Sequence, residues 1–486
     1  MTSKSATPDR NARAVVQRLW SFCNVLKDDG VSYSDYVEQL TFLLFLKMEE
    51  EATRETGRAS ALPLGARWED LVGRTGLDLE AAYIAALQAL AREPGVVGRI
   101  FAKAQNKIQD GAKLKRLVGL IDTQSWSDMD GDVKGAIYEG LLERNAEDVK
   151  SGAGQYFTPR PLVRAIASVV RPAAGESVCD PACGTGGFLL EALRTVGTQG
   201  RRRGSARPRP SLLSGWEIVP ATARLCLMSL HLRGVPDDEI DVCVGDALLA
   251  PPGRKFDVVL SNPPFGRRSS MTFSNEAAAD AEQLVYRRDD FVATTSNKQL
   301  NFLQHVMSLL GPGGRAAVVV PDSVLSEGGA GEAVRRALLT RFDAHTLLRL
   351  PTGIFYAGSV KSSVLFFDAP RAPRAKRKGG MLWTYDLRTG RRFSLRSDPL
   401  TDEALADFVA RYGGSDRKDR RRGGPFQRFQ IGDVLASDRC SLDLGLMAPS
   451  GPLELEPPGM IAAEIIDRLE AAADAIRAVE DLLGRR

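Results

Sequence analysis

Histidine is almost missing from this 486-residue chain, at three copies, and the six cysteines form no CxxC pair. No zinc centre built on imidazole and thiolate ligands is therefore expected. Cys179 and Cys183 lie four apart, but they flank a glycine loop that accounts for them better than metal does. Reduced, mostly buried thiols are expected. No apolar run reaches the roughly 18 residues that span a bilayer, so no membrane segment is expected. The opening Met1-Thr2-Ser3-Lys4-Ser5 leads into a polar stretch without a signal-peptide core, so a cytoplasmic protein is expected. Excess charge is also scarce. Lys and Arg number 65 against 61 acids, a net +4, which is too little for tight, specific nucleic-acid binding by this chain alone. The basic residues do cluster, at 201–209, 371–378 and 417–422, as solvated loops or as contacts for a nucleic acid.

What is present divides the chain in three. At 486 residues it is too long for one domain, and 43% hydrophobic content supports a sizeable core. Residues 1–150 read as an all-helical domain. Within it, Ser34 is a candidate N-cap for a helix that is apolar nearly all round from Leu40 to Met48, the pattern of a helix buried between others. Further helical patterns cover 79–92, 96–109, 111–122 and 131–146. From 151 to 400 the texture changes. Strand-like runs at 177–180, 212–217, 240–244, 256–261, 315–320, 345–350 and 362–368 alternate with helices, which implies an α/β fold with a mostly parallel, doubly wound sheet. Residues 200–211 read as an arginine- and proline-rich loop inserted between the first two strands. Beyond about 400 the sheet pattern stops. A basic linker and a terminal helix at 460–483 follow, the helix serving its own domain or reaching a partner as a coiled-coil arm.

Two stretches carry chemistry. The loop Asp180-Pro181-Ala182-Cys183-Gly184-Thr185-Gly186-Gly187-Phe188 falls between a strand and a helix, where such a sheet binds its ligand. Its glycines let the backbone approach a ligand closely, and the helix N-terminus offers free N–H groups. Glu217 closes the next strand, where an acid commonly accepts both ribose hydroxyls. Asp246 follows the third strand and could accept from an adenine amino group. There is no GxGxxG and no GxxxxGK[ST] phosphate loop, so the expected ligand is a nucleoside without polyphosphate. S-adenosylmethionine fits that description. The second stretch, Ser261-Asn262-Pro263-Pro264-Phe265, ends another strand. Two prolines fix φ and remove two backbone donors. An Asn amide oxygen, a bare proline carbonyl and an aromatic ring can hold a planar amine by its hydrogens and stack on its ring. The plainer reading is a strand followed by a PP turn.

Taken in order, Gln155-Tyr156-Phe157-Thr158-Pro159, the glycine loop and the Ser261–Phe265 stretch resemble the motifs of amino-group DNA methyltransferases. More narrowly, they resemble the modification subunit of type I restriction–modification systems. The likeness extends to the Tyr36–Met48 helix, Ile137-Tyr138-Glu139, Leu227 to Gly234, Asn301-Phe302-Leu303-Gln304-His305, Leu350 to Phe355 and Trp383 to Arg388. It departs visibly from the family at the arginine-rich loop 200–211. The resemblance implies a Rossmann-like S-adenosylmethionine-dependent methyltransferase domain between the helical domain and a helical tail. It implies N6-methylation of adenine in double-stranded DNA, by two modification subunits assembled with one specificity subunit and joined by restriction subunits for cleavage. Carried over by position, Asp180, Pro181, Ala182, Gly184, Thr185, Gly186 and Gly187 line the cofactor. Glu217 holds its ribose, Asp246 meets its adenine, and Gln155, Tyr156, Phe157 and Thr158 cover its methionine end. Asn262, Pro263, Pro264 and Phe265 form the catalytic set.

On that reading the target base leaves the duplex at a cost of a few kcal/mol, and stacking on Phe265 recovers about 1–3 kcal/mol. The Asn262 side-chain oxygen and the Pro263 carbonyl accept the two N6 hydrogens and free the nitrogen lone pair. No Pro-Cys lies near the site, which argues against attack at a pyrimidine carbon. The same stretch serves enzymes acting on RNA exocyclic amines or on protein glutamine, and a scaffold that binds without turnover is a third reading. The recognition sequence is expected to be read by another subunit, with the terminal helix and residues 425–450 as candidate contacts to it.

Overall fold

The computed structural model describes residues 33–57, 59–124, 126, 158–198, 210–265, 286–355, 360–372, 380–388, 393–394, 398–413, 417 and 420–444. Residues 1–444 form one compact unit and 445–486 another. The second unit, with the expected terminal helix at 460–483, lies outside the described residues. So do the expected helix at 131–146, residues 137–139, nearly all of the 200–211 loop and the basic residues 373–378.

Helices α1 (Tyr33–Thr56), α2 (Trp68–Val72), α3 (Gly76–Leu90), α4 (Gly95–Phe101) and α5 (Gly111–Asp122) build the N-terminal part. Every residue from Leu40 to Met48 of α1 is buried, as its unbroken apolar run requires. The helix begins no later than Tyr33, so Ser34 lies inside it and does not cap it. α4 stops at Phe101, short of the expected 109. Ala102 leaves helical geometry and Lys103 takes φ 59°, while the Asn106 side chain accepts from the Ile108 amide at 2.9 Å, a local turn that competes with helix.

The sheet follows α6 (Arg160–Val170). Its strands are β1 (Ser177–Asp180), β2 (Leu212–Glu217), β3 (Ile240–Val244), β4 (Phe256–Ser261), β5 (Leu310–Pro321), β6 (Asp343–Arg349), β7 (Ser362–Asp368), β8 (Met381–Asp386) and β9 (Phe426–Gln430). The order is β3-β2-β1-β4-β5-β7-β6-β8-β9. Five neighbouring pairs are parallel, and β5·β7, β6·β7 and β8·β9 are antiparallel. Helices α7 (Gly187–Gly197), α8 (Pro220–Leu232), α9 (Lys298–Leu309), α10 (Ser323–Ser326) and α11 (Ala330–Arg341) connect the strands. α12 (Asp402–Tyr412) and α13 (Ile431–Ala436) come after β8 and β9. All seven expected strands are present. The sheet does not stop near residue 400, however. β9, in which Phe426 alone is buried, is a polar edge strand with no apolar run to announce it.

The order of strands reverses between β1 and β4, and β1 pairs directly with β4 through Val178↔Val258 and Cys179↔Val259. That reversal leaves a crevice at the carboxyl ends of these two strands, and both motif loops begin there. The helical part closes the other edge. Arg99 on α4 donates to the Ile240 and Val242 carbonyls of edge strand β3, and the Val96 amide donates to Asp237 at 2.9 Å. Arg224 on α8 pairs with Glu38 and sits 5.6 Å from the Phe42 ring.

Candidate active site

Both motif loops are tied together beneath the crevice. Asp180, 2% exposed, accepts through Oδ1 from the Ser261 hydroxyl at 2.7 Å and from the Ala182 amide at 3.0 Å. It therefore lies under the glycine loop and links that loop to the strand carrying Asn262. Burial pushes the Asp180 carboxyl up to about 7, and the nearby Glu217 charge adds to the rise against the two hydrogen bonds.

Backbone geometry at the loop needs glycine at two points. Gly184 has φ 54°, and Gly186 has φ 87° with Cys226 Sγ only 2.7 Å from where a Cβ would stand. The loop rests on β2: the Cys183 amide donates to the Trp216 carbonyl at 2.9 Å. At the end of β2, Glu217 accepts from the Gly184 amide at 3.1 Å and the Val219 amide at 2.8 Å. Burial raises its pKa from the ordinary glutamate value, while those amides and Lys298 pull the other way. Two carboxyl groups drawn out of water beside a glycine turn suit a ligand that brings hydroxyl donors and positive charge. The donor set thus fits the ribose of a nucleoside and a sulfonium, and S-adenosylmethionine carries both. Asp246 accepts from the Leu248 amide at 2.9 Å and from the Tyr286 hydroxyl at 2.5 Å. Tyr286 had no signal in the sequence, because it sits alone beyond a long stretch without periodicity.

Asp180→Asn is expected to stabilise the ligand-free fold, since Asn keeps an oxygen for Ser261 and Ala182 and carries no charge. The Asp180 pKa is raised on folding, so its ionisation works against the folded state increasingly as pH climbs from about 4 to about 7. The gain in melting temperature should be larger at pH 8 than at pH 5. An equal gain at both would show that the Asp180 charge is not the cause.

Beyond Ser261 the stretch Asn262-Pro263-Pro264-Phe265 is held from both sides. The Asn262 Nδ2 donates to the Thr158 hydroxyl at 2.8 Å, and Asn262 Oδ1 is buried without a partner among the described residues. The Pro264 carbonyl accepts from Gln299 Nε2. Gln299 is placed there by Asn297, which caps α9 by accepting from the Gln299 amide at 3.0 Å and is itself fixed on Glu327 at 2.9 Å. The Phe265 ring meets Phe355 edge-on at 5.3 Å between centroids and 84°. The structure thus links Asp180 to Ser261, Glu217 to the glycine loop and Thr158 to Asn262, and adds Gln299 on Pro264 and Phe355 on Phe265. Gln155, Tyr156 and Phe157 lie outside the described residues.

Comparison with known proteins places the chain in a family. The family model for N-6 DNA methylase matches residues 129–427, and that for the HsdM N-terminal domain matches 15–122. The methylase subunit of the type I restriction enzyme StySPI of Salmonella potsdam is 40% identical over 423 residues, covering 83% of this chain and 77% of that one. The EcoKI methylase subunit of Escherichia coli K12 is likewise 40% identical, over 424 residues with the same coverage. The chain belongs to the family of type I restriction enzyme methylase subunits. The crystal structure of the EcoKI M protein superposes with a TM-score of 0.52 at 32% identity, covering 95% of this methylase subunit and 94% of that chain. Among the described residues of the subunit, no helix is long and apolar enough to cross a membrane.

Proposed function

We propose that this methylase subunit transfers a methyl group from S-adenosylmethionine to adenine N6 in double-stranded DNA. We place it in the cytoplasm, as part of a complex in which two such subunits join one specificity subunit and, for cleavage, restriction subunits. Family membership supports the reaction class. The observation that carries the site assignment is the buried, unpartnered Asn262 Oδ1 beside the glycine crevice. When bound there, S-adenosylmethionine supplies an electrophilic methyl group. Glu217 would accept from its ribose and Asp246 from its adenine. Gly184, Gly186 and their neighbours Pro181, Ala182, Thr185 and Gly187 would shape the wall, and Gln155, Tyr156 and Phe157 would cover the methionine end.

Asn262 Oδ1 and the Pro263 carbonyl would accept the two amine hydrogens of an extruded adenine, with Phe265 stacked on its ring. Two fixed dipoles there favour the developing positive charge on nitrogen more than the neutral amine, so they lower the barrier and not merely the binding energy. Residues 425–450 and the tail at 460–483 are the proposed contacts to the specificity subunit, which would read the sequence.

Methylation-aware sequencing of host DNA with and without this gene tests the proposal. One adenine motif should lose N6-methylation throughout the genome in the deletion strain. An unchanged adenine methylome would sink it, and transfer to RNA or to protein glutamine by the purified complex would replace it.

A further inference from the structure

We infer that Thr158 is a positioning residue for Asn262, holding its carboxamide so that Oδ1 remains as the acceptor for the substrate amine. The inference rests on the catalytic reading of Asn262 above. A carboxamide is chemically two-faced. With Oδ1 toward the amine it accepts a hydrogen; with Nδ2 toward the amine it sets donor against donor.

Almost every other freedom of the stretch is already removed. The Ser261 hydroxyl is held by Asp180 at 2.7 Å, the Pro264 carbonyl is held by Gln299, and the two prolines fix their own φ. The rotation of the Asn262 carboxamide about its last side-chain bond is the soft coordinate that remains. Thr158 engages it: its hydroxyl, 104 residues away in sequence, accepts from Asn262 Nδ2 at 2.8 Å. The other face, Oδ1, is buried and has no partner among the described residues. A buried acceptor without a donor is unfavourable, and a substrate N–H relieves it, so the arrangement rewards the docked amine. The reversed carboxamide would satisfy the hydroxyl as donor but would leave two N–H groups facing the amine.

By sequence position Thr158 belongs with the residues expected to cover the cofactor, and the two roles predict different kinetics. The test uses the full chain assembled with its specificity subunit and unmethylated host DNA. In it, Thr158→Val removes the acceptor at nearly constant shape, and Thr158→Ser keeps it. The valine variant should lose about 10–100-fold in kcat, the scale of a misplaced reacting group. Its S-adenosylmethionine Kd and its KM for DNA should stay within about twofold, and serine should restore kcat to within about threefold of wild type. If valine raises the Kd tenfold while kcat holds, Thr158 is a cofactor contact and the inference fails. It fails equally if valine and serine have the same kcat. Should the valine variant not fold, as judged by its melting curve, the alanine and serine variants make the same comparison. A wild-type complex that transfers no methyl group to DNA would instead remove the catalytic reading beneath it.

Discussion

Asn262→Ala is expected to lower the rate of methyl transfer by about 10²–10³-fold, with S-adenosylmethionine affinity held within about twofold. The magnitude is that of deleting one preorganised dipole aimed at charge that develops only in the transition state. The split follows from the geometry. Asn262 is tied to Thr158 at 2.8 Å, whereas the acids that would hold the cofactor, Glu217 and Asp246, are fixed by other groups: the Gly184 and Val219 amides, and Leu248 with Tyr286. Removing the carboxamide therefore leaves the cofactor wall standing. The adenine would still stack on Phe265 and meet the Pro263 carbonyl, so some transfer should survive. Single-turnover transfer measured beside equilibrium cofactor binding checks both halves. A rate within tenfold of wild type would mean that Asn262 does not hold the reacting amine.

How much of this was legible in the sequence follows from the physics of each element. Strands β1 to β7 were, because a strand buried on both faces must be continuously apolar, whereas β8, although parallel to β6, was not among the expected strands. β4, with Val258, Val259 and Leu260 all at 0% exposure, shows that rule at full strength. The motif loops were legible because glycine with positive φ and paired prolines leave few residue choices, as at Gly186 and Pro263-Pro264. The links between the loops were not. Ser261 to Asp180, Asn262 to Thr158 and Pro264 to Gln299 join residues 81, 104 and 35 positions apart, and hydroxyl or amide side chains carry no periodic trace of such pairing. Gln299 was visible only as part of a helix start, and Phe355 only as part of a motif without a role. β9 was missed because an edge strand facing water on one side needs only Phe426 fully buried.

Arg335→Met is expected to destabilise the protein by about 3–5 kcal/mol, the scale of breaking a buried hydrogen-bond network and a large share of a domain's 5–15 kcal/mol. Arg335 on α11 has 0% exposure. It donates to four carbonyls: Cys440 at 3.0 Å, Val324 at 2.9 Å, Glu327 at 2.6 Å and Arg439 at 2.7 Å. Methionine fills similar space but strands those oxygens in a dry interior, which is the costly half of losing a buried hydrogen bond. Two of the carbonyls belong to residues with positive φ, Arg439 at 55° and Cys440 at 50°, a conformation that non-glycine residues hold only when something compensates. The same segment is pinned by the Leu442 amide on the Leu325 carbonyl at 2.8 Å and by Asp443 on Arg349 at 2.5 Å. Urea denaturation should show the lower midpoint, and limited proteolysis should cut first within 437–444. Lysine at 335 should recover only part of the loss, because one ammonium cannot reach four carbonyls set around a planar fork. A midpoint unchanged in the methionine variant would mean that the 439–443 segment is held by its own packing. If the loss is seen, the polypeptide that the catalytic sheet needs runs at least to Leu442, some forty residues past the point where its strand pattern fades, and a truncation near 400 would remove part of the fold along with the linker.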